Sequence, residues 1–121
     1  MNPWTGDGTS RIASAHSLTL AVEDGDGTPG DPIPLGFVTV GGDIYIRAYR
    51  GARSRWFRTV RRSRRARVEI EGVERAVEVE PAEPERAEEI DAAYRSKYGS
   101  LASGLVMSRI ARAAALKLLP R

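Results

Sequence analysis

Residues 41–60 read GGDIYIRAYRGARSRWFRTV, and this stretch decides the fold prediction. The Gly-Gly pair at its start favours a tight hairpin turn, because glycine adopts the positive φ angles that such turns require. Apolar and polar residues then alternate over 44–49, which predicts a strand. Gly51 interrupts the alternation, and Ser54 is a favourable N-cap for a short helix over 55–63. The stretch therefore predicts a strand that leads through a glycine turn into a helix.

The sequence on both sides of this stretch predicts further short strands, marked by alternating or β-branched apolar residues and by glycine turns. These strands are 17–22, 35–40, 67–71 and 73–79. A longer helix is predicted over 85–97, since acids crowd its first half and bases its last turn, in accord with the helix dipole. Residues 101–112 also suit a helix, whereas 114–119 fit either its continuation or another strand.

Short alternating strands joined by tight turns favour a small β-barrel. We therefore predict a mainly β, α+β protein with about six strands. One short helix is inserted between the third and fourth strands, and one longer helix lies near the C-terminus. We expect a single domain over 16–121, because a chain of 121 residues is most simply one domain. Residues 1–15 are rich in Gly, Ser and Thr, and we expect a flexible arm there.

The composition excludes several kinds of site. The chain has no cysteine, which removes disulfides, thiolate metal ligands and cysteine nucleophiles. His16 is the single histidine, so a multi-histidine metal site cannot form, and we expect no metal. No apolar run approaches the roughly 20 residues of a membrane span, and the N-terminus is too polar for a signal peptide. We therefore expect a cytoplasmic protein that does not bind membranes.

Positive charge is concentrated in one segment of the chain. Residues 44–68 hold ten of the seventeen arginines and no acid, although the formal net charge is only +3. Genomic base composition can enrich arginine, but it does not cluster charge. Three interpretations compete: a site for a phosphate-bearing cofactor, a nucleic-acid surface, or a solvated surface without a ligand.

The junction between the predicted strand and helix carries the features of an anion site. The first N–H groups of a helix favour bound anions, and Arg50, Arg53 and Arg55 offer guanidinium groups that match phosphate geometry. Ser54 adds a hydroxyl, and Trp56 adds a flat aromatic surface. In the competing interpretation Ser54 only caps the helix, Trp56 belongs to the core and the arginines are solvated.

A second basic cluster follows the predicted helix. Its members lie within 58–67 and are Arg61, Arg62, Arg64, Arg65 and Arg67. Such a cluster could neutralise several phosphates of a nucleic acid, although few aromatic residues accompany it and no known nucleic-acid motif does. The alternatives are a non-catalytic interaction surface, pairing with glutamates of 74–80, or contact with a second subunit.

The sequence also resembles a known group of proteins. The segments GGDIYIRAYRGARSRWFRTVRRSRRARVEIEGVERAVEVE, IDAAYRSKYG and LKLLPR are similar to a family of small uncharacterised domains. That family is placed near the flavin- and deazaflavin-binding split barrels, which include pyridoxamine-phosphate-oxidase-like and deazaflavin-dependent nitroreductase-like proteins. The resemblance covers about residues 18–121, and it implies a split β-barrel with a strand at 114–119.

The resemblance further implies a function and a site. It implies that the chain binds a phosphorylated flavin-like cofactor, FMN or the deazaflavin coenzyme, and serves as an oxidoreductase of unknown substrate. It implies a homodimer with sites at the subunit interface. The residues that it assigns to the cofactor are Arg47, Tyr49, Arg50, Ser54, Arg55 and Trp56. It assigns no catalytic residue.

Overall fold

The computed structural model describes residues 15–100 and 104–121, in which seven strands form one antiparallel sheet. The strands are β1 Ser17–Val22, β2 Ile33–Gly36, β3 Val38–Val40, β4 Asp43–Arg47, β5 Arg65–Ile70, β6 Val73–Pro81 and β7 Ala115–Pro120. The α-helices are α1 Arg55–Ser63, α2 Ala87–Tyr98 and α3 Arg109–Ala113, and short 3-10 turns occupy Gly51–Arg53, Pro84–Arg86 and Gly104–Met107. The strand order is β2-β1-β5-β6-β7-β4-β3, and the sheet curls into a nearly closed split barrel.

The seam of the barrel lies between its edge strands, β2 and β3, which are consecutive in the chain and separated only by Phe37. β2 pairs with β1, whereas β3 pairs with β4. The sequence predicted one strand over 35–40 and about six strands in all. That count was one too low, because the segment changes its pairing partner at Phe37 and so belongs to both edges of the barrel.

The interior of the barrel is filled by the inward side chains of the alternating strands. Leu20, Ile46, Val68, Val77 and Leu118 are each at most 1% exposed and belong to one apolar cluster. Burying one such side chain contributes about 1.5–3 kcal/mol. The predicted hairpin between β5 and β6 and the strand at the C-terminal end are both confirmed.

A second apolar cluster lies outside the barrel, where α2 packs on β3 and β4. Val38 and Tyr45 of these strands meet Ile90 and Tyr94 of α2 there. Tyr45 points away from the barrel interior, in accord with the alternation of residues over 44–49. Burial under α2 nevertheless leaves Tyr45 0% exposed.

Helix α1 has the bounds that the sequence predicted, with Ser54 in the N-cap position. The Ser54 hydroxyl makes no capping hydrogen bond; Phe57 and Val60 are buried and anchor the helix to the barrel. Arg64 ends α1 in the left-handed conformation at φ 59°, and its amide donates to the Val60 carbonyl. Of the predicted arm, only Ala15 is among the described residues, and it is buried. The start of the helix predicted at 101 also lies outside them.

Candidate functional site

A cleft of about 440 Å³ lies between α1 and the loop that joins β1 to β2. Apolar surface from Val22, Pro29, Ile33 and Trp56 lines much of it. Its volume is in the range of sites that bind small molecules, and such sites combine apolar walls with a few polar groups. The polar groups here are Asp24, Thr28, Asp31, Arg55 and Thr59.

The loop wall of the cleft is held in shape by hydrogen bonds. The Asp24 carboxylate accepts from the amides of Asp26 and Thr28 over 2.9 and 3.0 Å. Gly27 adopts φ 82° in this turn, which glycine tolerates without strain. The Gly30 amide donates to the Val22 carbonyl over 2.8 Å. This wall is therefore a closed turn of defined shape.

The helix wall of the cleft continues onto a cationic surface. Arg55, Arg58, Thr59, Arg61 and Arg62 line a shallow depression on α1, and no acid is among the described residues that line it. We call this surface the cationic face of α1. Residues three and four apart on a helix share one side, so 55, 58 and 62 form a stripe about 10 Å long. Arg58 also donates to the Ala52 carbonyl over 2.6 Å, which ties it to the preceding turn.

Two of the six predicted cofactor residues meet in the cleft. Trp56 packs partly against the barrel core and lies edge-on to Phe57, with ring centroids 6.0 Å apart. Arg55 lines both the cleft and the cationic face. Ser54 precedes them as the N-cap residue, and its hydroxyl is not used for capping.

Tyr49 and Arg50 form a separate pair before the Gly51–Arg53 turn. The Arg50 guanidinium lies 5.5 Å from the centroid of the Tyr49 ring, within the range of a cation–π contact. Tyr49 is 49% exposed, and neither residue lines the cleft. Gly51 takes φ 56°, and a Cβ at this position would lie 2.5 Å from the Ile110 side chain. Glycine is therefore required where the chain turns from β4 towards α1.

Arg47 is separated from the other predicted cofactor residues, because α2 covers it. Its side chain is 0% exposed and forms an ion pair with Asp91. It also donates to the carbonyls of Val106 and Ala87, each over 3.0 Å. Arg47 points out of the barrel towards α2, where its guanidinium lies 5.8 Å from the centroid of the Tyr94 ring. Its guanidinium is already neutralised within the fold.

The basic cluster that follows the helix divides into two groups. Arg64 and Arg67 on the β5 side pair with Glu78 and Glu74, at 4.0 and 3.4 Å. Arg61 and Arg62 belong instead to the cationic face of α1. The predicted pairing of the basic cluster with glutamates of 74–80 is thus confirmed for Arg64 and Arg67 but not for Arg61 and Arg62.

Sequence patterns missed part of the cleft. Thr59 was not singled out, although its spacing of four from Arg55 places both residues on one side of a helix. Pro29 and Ile33 gave no signal of a site, because only the folding of the β1–β2 loop towards α1 brings them there.

The described residues contain neither a cluster of acidic, histidine or cysteine side chains suited to a metal ion nor a helix long and apolar enough to cross a membrane.

An antiparallel barrel split at one seam, with a helix inserted after β4, defines the class of split barrels to which flavin-binding proteins belong. Residues 9–118 match the family described as uncharacterized protein conserved in bacteria (DUF2255), and the chain belongs to that family. The resemblance inferred from the sequence is therefore confirmed. No curated protein matches the chain significantly.

Solved structures with the same fold include cofactor-binding proteins. The heme storage protein HutZ of Vibrio cholerae superposes with a TM-score of 0.71 at 16% identity, covering 93% of this chain and 86% of that one. An FAD-binding protein of Mesorhizobium loti gives 0.64 at 17% identity, with coverages of 93% and 86%. An FAD and heme binding protein of Mycobacterium smegmatis gives 0.60 at 21% identity, with coverages of 91% and 62%. At these identities the likeness shows the fold.

Proposed function

We propose that the cleft and the cationic face of α1 together bind a phosphorylated flavin-like cofactor, FMN or the deazaflavin coenzyme, and that the protein uses it as an oxidoreductase. One observation carries this proposal. Arg55 and Thr59 line both surfaces, so an apolar cleft opens directly onto a row of arginines. A ligand with a planar ring and a phosphate matches this juxtaposition, and solved split barrels of the same fold bind FAD.

The charges around the cleft orient such a ligand. Asp24 and Asp31 line the loop wall and repel a phosphate, whereas Arg55 lines the helix wall and attracts it. The phosphate then lies on the cationic face, where guanidinium groups donate charge-assisted hydrogen bonds. The ring lies in the cleft against the apolar surface of Trp56.

The residues of the chain bind and orient the cofactor. When bound, a flavin or deazaflavin supplies hydride transfer, which no side chain in the cleft can provide. Trp56 and Ile33 exclude water from one face of the ring, and the arginines of α1 hold the phosphate end.

Heme fits the cleft less well than a flavin, although relatives in structure bind it. Heme iron requires an axial ligand such as His, Met, Cys or Tyr. None of these is among the described residues that line the cleft. His16 packs instead against Tyr98, with ring centroids 5.1 Å apart.

Nucleic acid is the second candidate ligand, and the cationic face of α1 favours it. Four arginines in a row without an acid could follow a phosphate backbone. Nucleic-acid grooves, however, usually present aromatic platforms along the strand, and Trp56 is the one aromatic residue among the described residues that line the cleft or the cationic face. A non-catalytic interaction domain would use the same surface for an acidic protein.

We also infer a homodimer. Tyr49 and Ile110, at 49% and 55% exposure, are the exposed large hydrophobic residues of the described chain. Tyr49 precedes Gly51 by two residues in the chain, and the Ile110 side chain lies against Gly51. A second copy of the chain packed on this corner would bury both side chains and place Arg50 next to the subunit interface.

The binding proposal is tested by titrating FMN and the deazaflavin coenzyme into the wild-type protein and matched variants. We expect Arg55→Met to weaken binding by about tenfold or more, since a charge-assisted hydrogen bond contributes about 1.5–3 kcal/mol. Trp56→Leu should also weaken it, because it removes the aromatic surface against which the ring packs. Arg65→Met is the control, because Arg65 is exposed but lines neither surface. The double variant Arg50→Ala/Ser54→Ala tests two of the other four predicted residues.

Two results would contradict the proposal. One is the absence of binding of both cofactors to the wild-type protein. The other is equal affinity in Arg55→Met, Trp56→Leu and Arg65→Met. Binding of single-stranded DNA that falls steeply with salt and is lost in Arg62→Met would instead support the nucleic-acid candidate.

A further inference from the structure

A second cavity, of about 350 Å³, lies on the other flank of α1, bounded by β6, α2, α3 and β7. Its walls combine polar groups with small apolar residues, and the apolar residues are Pro81, Ala82, Pro84, Ala87, Ile90, Ala113 and Ala115. Arg61, Arg112 and Glu83 supply the charged groups. The volume is again in the range of sites for small molecules. Trp56 and Arg61 lie about 140° apart around α1, so the helix separates this cavity from the cleft.

Arg61 contributes a positive charge without a carboxylate partner. Among the described residues no carboxylate oxygen lies within ion-pair distance of its guanidinium. The group lies 5.6 Å from the centroid of the Phe57 ring, within the range of a cation–π contact.

Arg112 contributes a positive charge that is only partly neutralised. Its Nε lies 3.3 Å from one oxygen of Asp91. The other oxygen of Asp91 pairs with the buried Arg47. One carboxylate therefore serves two guanidinium groups, and one positive charge remains in excess.

Glu83 offsets only part of this excess, because it is the one carboxylate among the described residues that line the cavity, against two guanidinium groups, and it also pairs with cations outside the cavity. Its carboxylate accepts from the Tyr45 hydroxyl over 3.0 Å and from Lys117 over 3.4 Å, and Arg86 lies 3.4 Å away. Burial alone would raise the pKa of Glu83, but hydrogen bonds from the backbone, Tyr45 and Lys117 lower it below its ordinary value. Glu83 thus stays ionised and paired, while Arg61 and Arg112 leave the cavity net positive.

We propose that this cavity binds a small organic carboxylate. The carboxylate group contacts Arg61 and Arg112, whose planar guanidinium groups match its geometry. The apolar body of the ligand lies against the alanines. The site lies outside the cleft and shares only Arg61 with the cationic face of α1.

Benzoate is the probe for this site, and benzamide is its uncharged isostere. We expect benzoate to shift the backbone NMR signals of Ala82, Ala87 and Ala113, and benzamide to bind at least about tenfold more weakly. Arg61→Met should weaken benzoate binding by a similar factor. Ala113→Leu should weaken it by filling the cavity, and Ala113 is exposed enough to be replaced without disturbing the core.

Arg62→Met is the matched control, because the neighbouring Arg62 lines the cationic face but not this cavity. Equal loss of binding in Arg61→Met and Arg62→Met would show only general attraction and overturn the proposal. Shifts confined to the Trp56 side of α1, or no shifts with benzoate, would also overturn it. Because FMN is titrated separately, failure at either site is distinguished from failure at the other.

Discussion

The Phe37 amide donates a hydrogen bond to the Tyr98 hydroxyl over 3.0 Å, at the residue where the chain passes from one edge of the barrel to the other. The neighbouring Lys97 donates to the Phe37 carbonyl over 2.7 Å. Phe37 belongs to neither β2 nor β3. The last turn of α2 therefore supplies partners for the backbone at the seam, which a buried backbone group requires.

Removing the Tyr98 hydroxyl should weaken the seam. Tyr98→Phe leaves the buried Phe37 amide without its partner, and we expect the free energy of unfolding to fall by about 1–3 kcal/mol. Urea unfolding measures this difference. Tyr49→Phe serves as the control, because Tyr49 is half exposed. Equal stability of wild type and Tyr98→Phe would show that the seam does not depend on this bond.

Lys97 should give the protein a measurable pH dependence. Burial lowers the pKa of Lys97 from 10.5 to about 8, and its amine lies 3.5 Å from the centroid of the Phe37 ring. Between pH 8 and 10.5 the unfolded chain therefore binds more protons at this residue than the folded chain, so stability rises with pH in that window.

The comparison with Lys97→Met isolates this effect. Burial raises the pKa values of Tyr45, Tyr94 and Tyr98, which lowers stability above about pH 10 in both proteins alike. We expect the stability of the wild type to rise relative to Lys97→Met as the pH increases above 8. A constant difference across the window would contradict the lowered pKa, which NMR titration of the Lys97 side chain measures directly.

The ion pair between Arg47 and Asp91 should matter far more than those on the surface. Arg47→Met leaves a largely buried carboxylate with Arg112 alone, and we expect the free energy of unfolding to fall by about 3–5 kcal/mol. Arg64→Met is the comparison, since Arg64 pairs with Glu78 at side-chain exposures of 55% and 51%, and exposed pairs contribute about 0–1 kcal/mol. Similar losses of unfolding free energy in both variants would mean that burial under α2 does not increase the contribution of the Arg47–Asp91 ion pair to stability.

The inferred homodimer depends on Ile110. Ile110→Asp places a charge in the centre of the exposed apolar corner, and we expect the variant to sediment as a monomer at concentrations where the wild type is a dimer. Arg109→Asp introduces the same side chain one residue earlier and should leave the dimer intact. A wild-type protein that sediments as a monomer would remove the inference.

Local sequence patterns were sufficient to predict the secondary structure wherever residues close together in the chain decide the conformation. Ser54 and the αL residue Arg64 bound α1 as predicted for 55–63, and glycine turns define the hairpins at Gly41–Gly42 and Gly72. The strands predicted over 67–71 and 73–79 are present as β5 and β6, and buried residues alternate with exposed ones in β5 and at 77–79, because the side-chain period of a strand depends only on its backbone. Arg55 and Trp56, which the sequence assigned to the anion site, both line the cleft, because they are consecutive residues in the first turn of α1.

The sequence by itself thus determined the split-barrel class, most element bounds and the concentration of arginines on α1. Only the tertiary structure decided which arginines remain free for a ligand. Arg47 and Arg55 are equally basic in the sequence, but α2 covers Arg47 and brings Asp91 to it, while Arg55 stays exposed beside the cleft. The break at Phe37 has the same origin. The pairing partner of a strand and the counterion of a charged side chain both come from segments that are distant in the chain. These segments approach one another only when the whole barrel packs.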